Sequence, residues 1–61
     1  MTAAEDELDF ANALRGAALN ADALHERTAA RHLWREARDL YVAAEIPARV
    51  EESDRQVARL S

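Results

Sequence analysis

The chain has no cysteine, no lysine, a single glycine (Gly16), a single proline (Pro47) and three aromatic residues, Phe10, Trp34 and Tyr41. Without cysteine neither a disulfide nor a thiolate metal site can form. With one glycine, neither a glycine-rich phosphate loop nor a nucleophile elbow can be built. No run approaches the roughly 18 consecutive apolar residues that a membrane span requires. The chain starts acidic (Glu5, Asp6, Glu7, Asp9), where a secretory signal is basic and then apolar. The expectation is a soluble, cytoplasmic protein with no membrane contact. All eight basic residues are arginine, read first as genome or proteome bias and only then as function.

What is present is alanine, charge and helical spacing. Sixty-one residues form one domain, residues 1–61, with a small core, because a short chain removes a smaller share of its surface from water. Alanine favours helices but buries little area per residue. Small scaffolds are usually held by disulfides, metals or oligomeric interfaces, and here only association remains.

The pattern predicts an all-α fold: an antiparallel helical hairpin with a short third helix, a small helical bundle. The helices are expected at about residues 5–26, 28–45 and 47–60. In the first, acidic residues crowd the opening turn, and Phe10, Leu14, Ala17, Ala21 and Leu24 follow at alternating four- and three-residue steps, making one apolar seam. Candidate breaks fall at Asn20 and Asp22, which favour caps, or at Thr28, a potential N-cap. The apolar phase shifts between Leu24 and Ala30, which points to a helix boundary or a kink there, the rival being one long helix whose apolar stripe drifts around its axis. The second helix carries Ala30, Leu33, Trp34, Ala37, Leu40, Tyr41 and Ala44 on one face and Arg27, Arg31, Arg35 and Arg38 on a neighbouring stripe. Pro47 suits the first turn of a third helix, whose narrow face is Val50, Ser53, Val57 and Leu60.

No residue cluster resembles a reaction centre, so the reading is non-enzymatic, with no catalytic residue, cofactor or metal site. His25 and His32 lie about 10 Å apart on a continuous helix and cannot chelate one ion. His25 and Glu26 begin like a zinc-protease motif, but Ala29 stands where the second histidine belongs. The carboxylate pairs Glu5/Asp9 and Asp22/Glu26 lack a pocket that would separate their pKa values.

Like charges four residues apart repel, so the arginine stripe needs anions opposite it. Those could be Glu51, Glu52 and Asp54 of the chain itself, an acidic partner, or nucleic-acid phosphates. The net charge of −4 and the pI near 5.0 weigh against nucleic acid. The second-helix residues Trp34, Tyr41, Leu33, Leu40, Arg31, Arg35 and Arg38 are therefore the candidate interface. The expected function is a helical protein–protein interaction module or accessory subunit that self-associates through the Trp34/Tyr41 face, as a homo-oligomer or in a larger complex. The alternative is a nucleic-acid-binding regulator using Arg27, Arg31, Arg35 and Arg38.

Residues 36–44 resemble the second helix of a tetratricopeptide-type repeat, with Ala37, Tyr41 and Ala44 filling its small, aromatic and small positions. Leu24 falls at the apolar position of the first helix, while His25 replaces its glycine, Thr28 replaces its aromatic, and Pro47 arrives two residues early. The resemblance implies a helix–turn–helix scaffold used for protein binding.

Overall fold

Acidic residues open the first helix, and the complementarity of Glu5 and Asp6 to the positive end of the helix dipole helps it start. In the computed structural model, which describes residues 3–61 and side-chain surroundings from residue 5, this helix is α1, Ala3–Ala23. α2 runs over Arg27–Ala43 and α3 over Pro47–Leu60, and no strand occurs among the described residues. None of these helices is long and apolar enough to cross a membrane.

The break between α1 and α2 lies at Leu24–Glu26, between the two expected places. Here Glu26 N–H donates to Ala21 O and His25 N–H to Asp22 O, the paired bonds of a Schellman turn, with His25 left-handed at φ 59°. Neither Asn20 nor Thr28 acts as a boundary. Thr28 is inside α2, whose N-cap position is held by Glu26 with no side-chain cap. The second turn repeats the first: Ile46 N–H donates to Tyr41 O, Glu45 N–H to Val42 O, and Glu45 has φ 60°. Pro47 then opens α3, where its missing N–H costs nothing.

α1 packs antiparallel on α2 and α2 on α3, while no Cα of α1 comes within 8 Å of one in α3. α1 and α3 meet through side chains. Arg15 makes a bidentate pair with Glu52, Nε to Oε1 at 2.7 Å and Nη2 to Oε2 at 2.9 Å. One heptad further on, Arg59 Nη2 reaches Asp22 Oδ2 at 2.6 Å. Both ties join residues of equal separation, so α1 and α3 run parallel and in register. The Cα extents, 35 × 17 × 13 Å, are those of helices lying along one long axis, since 21 residues of α1 span about 31 Å.

The interior has two aromatic centres set among alanines. Trp34 lies with Ala18, Ala21, Ala30 and Leu60, flanked by Leu33 and Val57. Tyr41 lies with Ala11 and Ala37, flanked by Leu8, Leu14, Leu40, Ile46 and Val50. Each aromatic ring buries about 150–250 Å², so at roughly 25 cal/mol per Å² each contributes on the order of 4–6 kcal/mol of gross burial. The face expected on α3 is the one used: Ser53 and Leu60 are buried and Val50 and Val57 half-buried.

The seam expected on α1 is displaced. Ala11, Ala18 and Ala21 are buried and Leu14 half-buried, but Phe10 and Leu24 are 57% and 59% exposed, and Ala17 is exposed too. Alanine explains the displacement. Ala11 and Ala18 let α2 approach closely enough for the Trp34 and Tyr41 rings to fill the gap, whereas Phe10 and Leu24 in that position would hold the helices apart.

Candidate interaction surface

The rings that the sequence assigns to an interface are the interior of this chain. Trp34 and Tyr41 have no exposed surface, so neither can touch a partner while the three helices stay together. The reason is the third helix, which closes over α2 with Ser53, Val57 and Leu60 and completes an enclosure that two helices could not. Burial raises the pKa of the Tyr41 phenol, an effect that Arg15 and Arg49 oppose, and its hydroxyl donates to Asn12 Oδ1 at 2.6 Å. Trp34 Nε1 and Ser53 Oγ are buried with no hydrogen-bond partner.

Leu33 and Leu40 keep part of their surface. At 100° per residue both lie on the edge of α2 away from Arg27 and Arg38, the residues that contact α3. On α1 the edge away from α3 carries Phe10, Leu14, Ala17 and Leu24, opposite in sense to Arg15 and Asp22. The two edges together form an outward apolar strip. Seven-residue spacing aligns Phe10, Ala17 and Leu24, and the strip extends about 21 Å along the helix. Two other exposed apolar side chains, Leu19 and Val42, lie off this line. Val42 borders a shallow apolar groove at the α2–α3 turn, with Ile46, Pro47 and Val50 over Tyr41 and Glu45 and Glu51 at the rim.

The four arginines of α2 have different surroundings. Arg27 turns toward α3 and donates from Nε to Leu60 O at 3.0 Å and from Nη2 to Arg59 O at 3.1 Å, capping the negative end of that helix. Arg38 Nε sits 2.5 Å from Asp54 Oδ1, close enough for an ion pair though off the line of a hydrogen bond, and its Nη1 is 3.4 Å from Asp39 Oδ1. Arg31 is half-buried with Nε unpartnered, and Arg35 is exposed beside Arg38, Asp39 and Asp54. Of the three α3 acids Glu51, Glu52 and Asp54, Asp54 is the one that pairs with this stripe. Glu52 belongs to Arg15 instead, with Arg49 at 3.4 Å. The Arg15 hydrogen bonds hold the Glu52 carboxyl below its ordinary pKa, and Glu52 in turn raises that of Arg15.

His25 occupies the α1–α2 turn and His32 is exposed on α2. Among the described residues no group of three or more His, Cys, Asp or Glu side chains is placed to hold a metal ion. Compared with known proteins, the chain matches no family model, no curated protein and no solved structure. Sequence reasoning missed the α1–α3 ties, for which the only signal was a pair of opposite charges 37 residues apart recurring one heptad later: Arg15 with Glu52, then Asp22 with Arg59.

Proposed function

We propose that this chain is a non-enzymatic helical interaction module that self-associates, its contact surface being the outward edge of the α1–α2 hairpin. The observation that carries this reading is the exposure of Phe10 and Leu24 on one line of α1 while the interior is built largely of alanine. Large apolar side chains aligned on an uncovered helix edge are what an interaction surface requires, in contrast to apolar residues scattered singly. Leu33 and Leu40 border the same edge, so two of the residues assigned to an interface from sequence keep that role. Trp34 and Tyr41 support it from beneath by fixing the spacing of α1 and α2. The tetratricopeptide-like segment is consistent with this use, because Ala37 and Tyr41 point inward and leave the hairpin edges for binding.

Support is drawn away from the nucleic-acid reading. Arg27 and Arg38 are engaged with α3, which breaks the stripe into separate pieces. The net charge of −4 opposes a polyanion over the remaining surface.

The test is the solution mass by light scattering or sedimentation, from low micromolar to near-millimolar protein. Self-association predicts a rise from the 6.8 kDa monomer with concentration. A constant 6.8 kDa over that range removes self-association from the proposal.

A further inference from the structure

We propose that the groove at the α2–α3 turn docks a basic segment of another protein, with an apolar side chain seated between Val42 and Val50 and flanking lysine or arginine side chains paired to Glu45 and Glu51. The site is separate from the α1–α2 edge and goes beyond the self-association read there.

The groove has a local cause. In each turn of this fold the residue after the left-handed position closes the Schellman pair by donating its N–H to the preceding helix, Glu26 to Ala21 O and Ile46 to Tyr41 O. At the first turn that residue is an exposed glutamate. At the second it is isoleucine, half-buried against the Tyr41 cluster. Pro47 then opens α3 and Val50 follows one turn later, so apolar side chains line up along the turn beside Val42. Val42, one turn on from Arg38, points to the α3 side of α2, yet it is 51% exposed. The space between these residues is about 440 Å³, within the roughly 300–1,000 Å³ of ligand-binding clefts.

Charge names the occupant. Glu45 and Glu51 line the groove, both are exposed, and among the described residues neither has an ion-pair partner. No basic side chain is among the groove's lining residues. The arginines nearest in sequence are engaged or turned away. Arg49 lies 3.4 Å from Glu52 and Arg38 pairs with Asp54, while Arg55 stands about 40° further around α3 from α2 than Glu51 does. The same end of the molecule carries the acidic start of α1, Glu5, Asp6, Glu7 and Asp9, because α1 is antiparallel to α2 and Leu8 packs beside Tyr41. The field over the groove is therefore negative, which steers a cationic segment toward it and repels an acidic one.

A second copy of the chain does not offer the complement. Its exposed large apolar side chains are Phe10, Leu19, Leu24 and Val42. Phe10 stands among Asp6, Glu7 and Asp9. Arg15 and Arg38, one turn before Leu19 and Val42, are engaged with Glu52 and Asp54, and Arg27, just past Leu24, caps α3. An apolar anchor flanked by free cations has to come from a different protein.

A random-peptide display library panned on the full chain is expected to yield sequences in which lysine or arginine flanks an apolar residue. The synthesised winner, titrated into isotope-labelled protein, should shift the amide signals of Val42, Glu45, Ile46, Val50 and Glu51. Glu45→Lys/Glu51→Lys, changed only at exposed positions, should keep its helical circular dichroism, bind that peptide at least about tenfold more weakly and select acidic peptides instead. Val42→Ala, which keeps both carboxylates, should weaken binding about fivefold through the lost apolar contact.

A library that yields no binder, or only binders without basic residues, overturns the proposal. So does a winner that shifts the Phe10 and Leu24 signals in place of the groove, or one that binds the charge-reversed variant as tightly as wild type. Groove signals that move with protein concentration alone would make a second copy the occupant and overturn the choice of partner. Solution mass decides self-association independently of these readouts.

Discussion

His25 and Glu45 hold the left-handed backbone, φ 59° and 60°, that ends a helix in a Schellman turn, a position where glycine is the usual residue. A side chain there costs about 1–2 kcal/mol per residue. Glu45→Gly is therefore expected to stabilise the protein by about 1 kcal/mol, raising Tm by roughly 4–8 °C for a domain of this size; thermal unfolding followed by circular dichroism measures it. The one glycine of the sequence is spent elsewhere, in mid-helix at Gly16, where an added Cβ would meet nothing within 4 Å. Gly16→Ala should accordingly be stabilising by up to about 1 kcal/mol. Ser53 presents the opposite case, a small polar group with no exposed surface and no partner for its hydroxyl. Ser53→Ala removes a desolvated group without opening a large hole and should raise the urea midpoint by an amount worth about 1 kcal/mol. The turn at Pro47 was legible from the residue alone. The turn at His25 was legible only as a shift of phase, since histidine carries no turn signal.

Among the elements, α3 depends most on its neighbours, because an isolated helix of 14 residues is marginal in water. Arg27 caps its last carbonyls, Arg38 pairs with Asp54, and Arg15 and Asp22 tie it to α1. The Arg15–Glu52 pair is the best formed of these, bidentate and with both side chains mostly covered. The Glu52 carboxyl has a lower pKa folded than unfolded, so its contribution is fully present above the ordinary carboxylate range near 4.5. That contribution falls away as pH drops through the lower folded value. Glu52→Gln should cost about 1 kcal/mol at neutral pH. It should also flatten the dependence of stability on acid, read from denaturation midpoints at neutral pH and near pH 3. The arginine stripe was visible in the sequence as a need for anions. Which anions answer it was not, because Glu51, Glu52 and Asp54 are neighbours in the chain, yet Glu52 turns to Arg15 of α1, Asp54 to Arg38 of α2 and Glu51 is exposed, and only the packing separates them.

At the scale of the whole molecule, stability rests on two rings. A domain of 61 residues has roughly 3–9 kcal/mol to lose, and truncating a buried tryptophan removes about 3–5 kcal/mol. Trp34→Ala is therefore expected to leave the chain largely unfolded at 37 °C, with loss of helical circular dichroism. In the wild type, Trp34 is the only indole, and its emission should be blue-shifted and shielded from aqueous quenchers at every protein concentration, because its burial is intramolecular. Emission that became shielded only on self-association would contradict that enclosure.

Helical character, the proline-led third helix and the inward side of α2 and α3 follow from the sequence by itself. They depend on local propensity and on spacings within one helix, and α2 and α3 each have one dominant apolar direction. α1 has two, a line of alanines and a line bearing Phe10 and Leu24, about 80–100° apart around the axis. Only the tertiary structure chose between them, and it chose the line with less hydrophobic mass. The physical reason is complementarity of size: Trp34 and Tyr41 need room beside α2, small side chains on α1 provide it, and the larger residues are left facing outward.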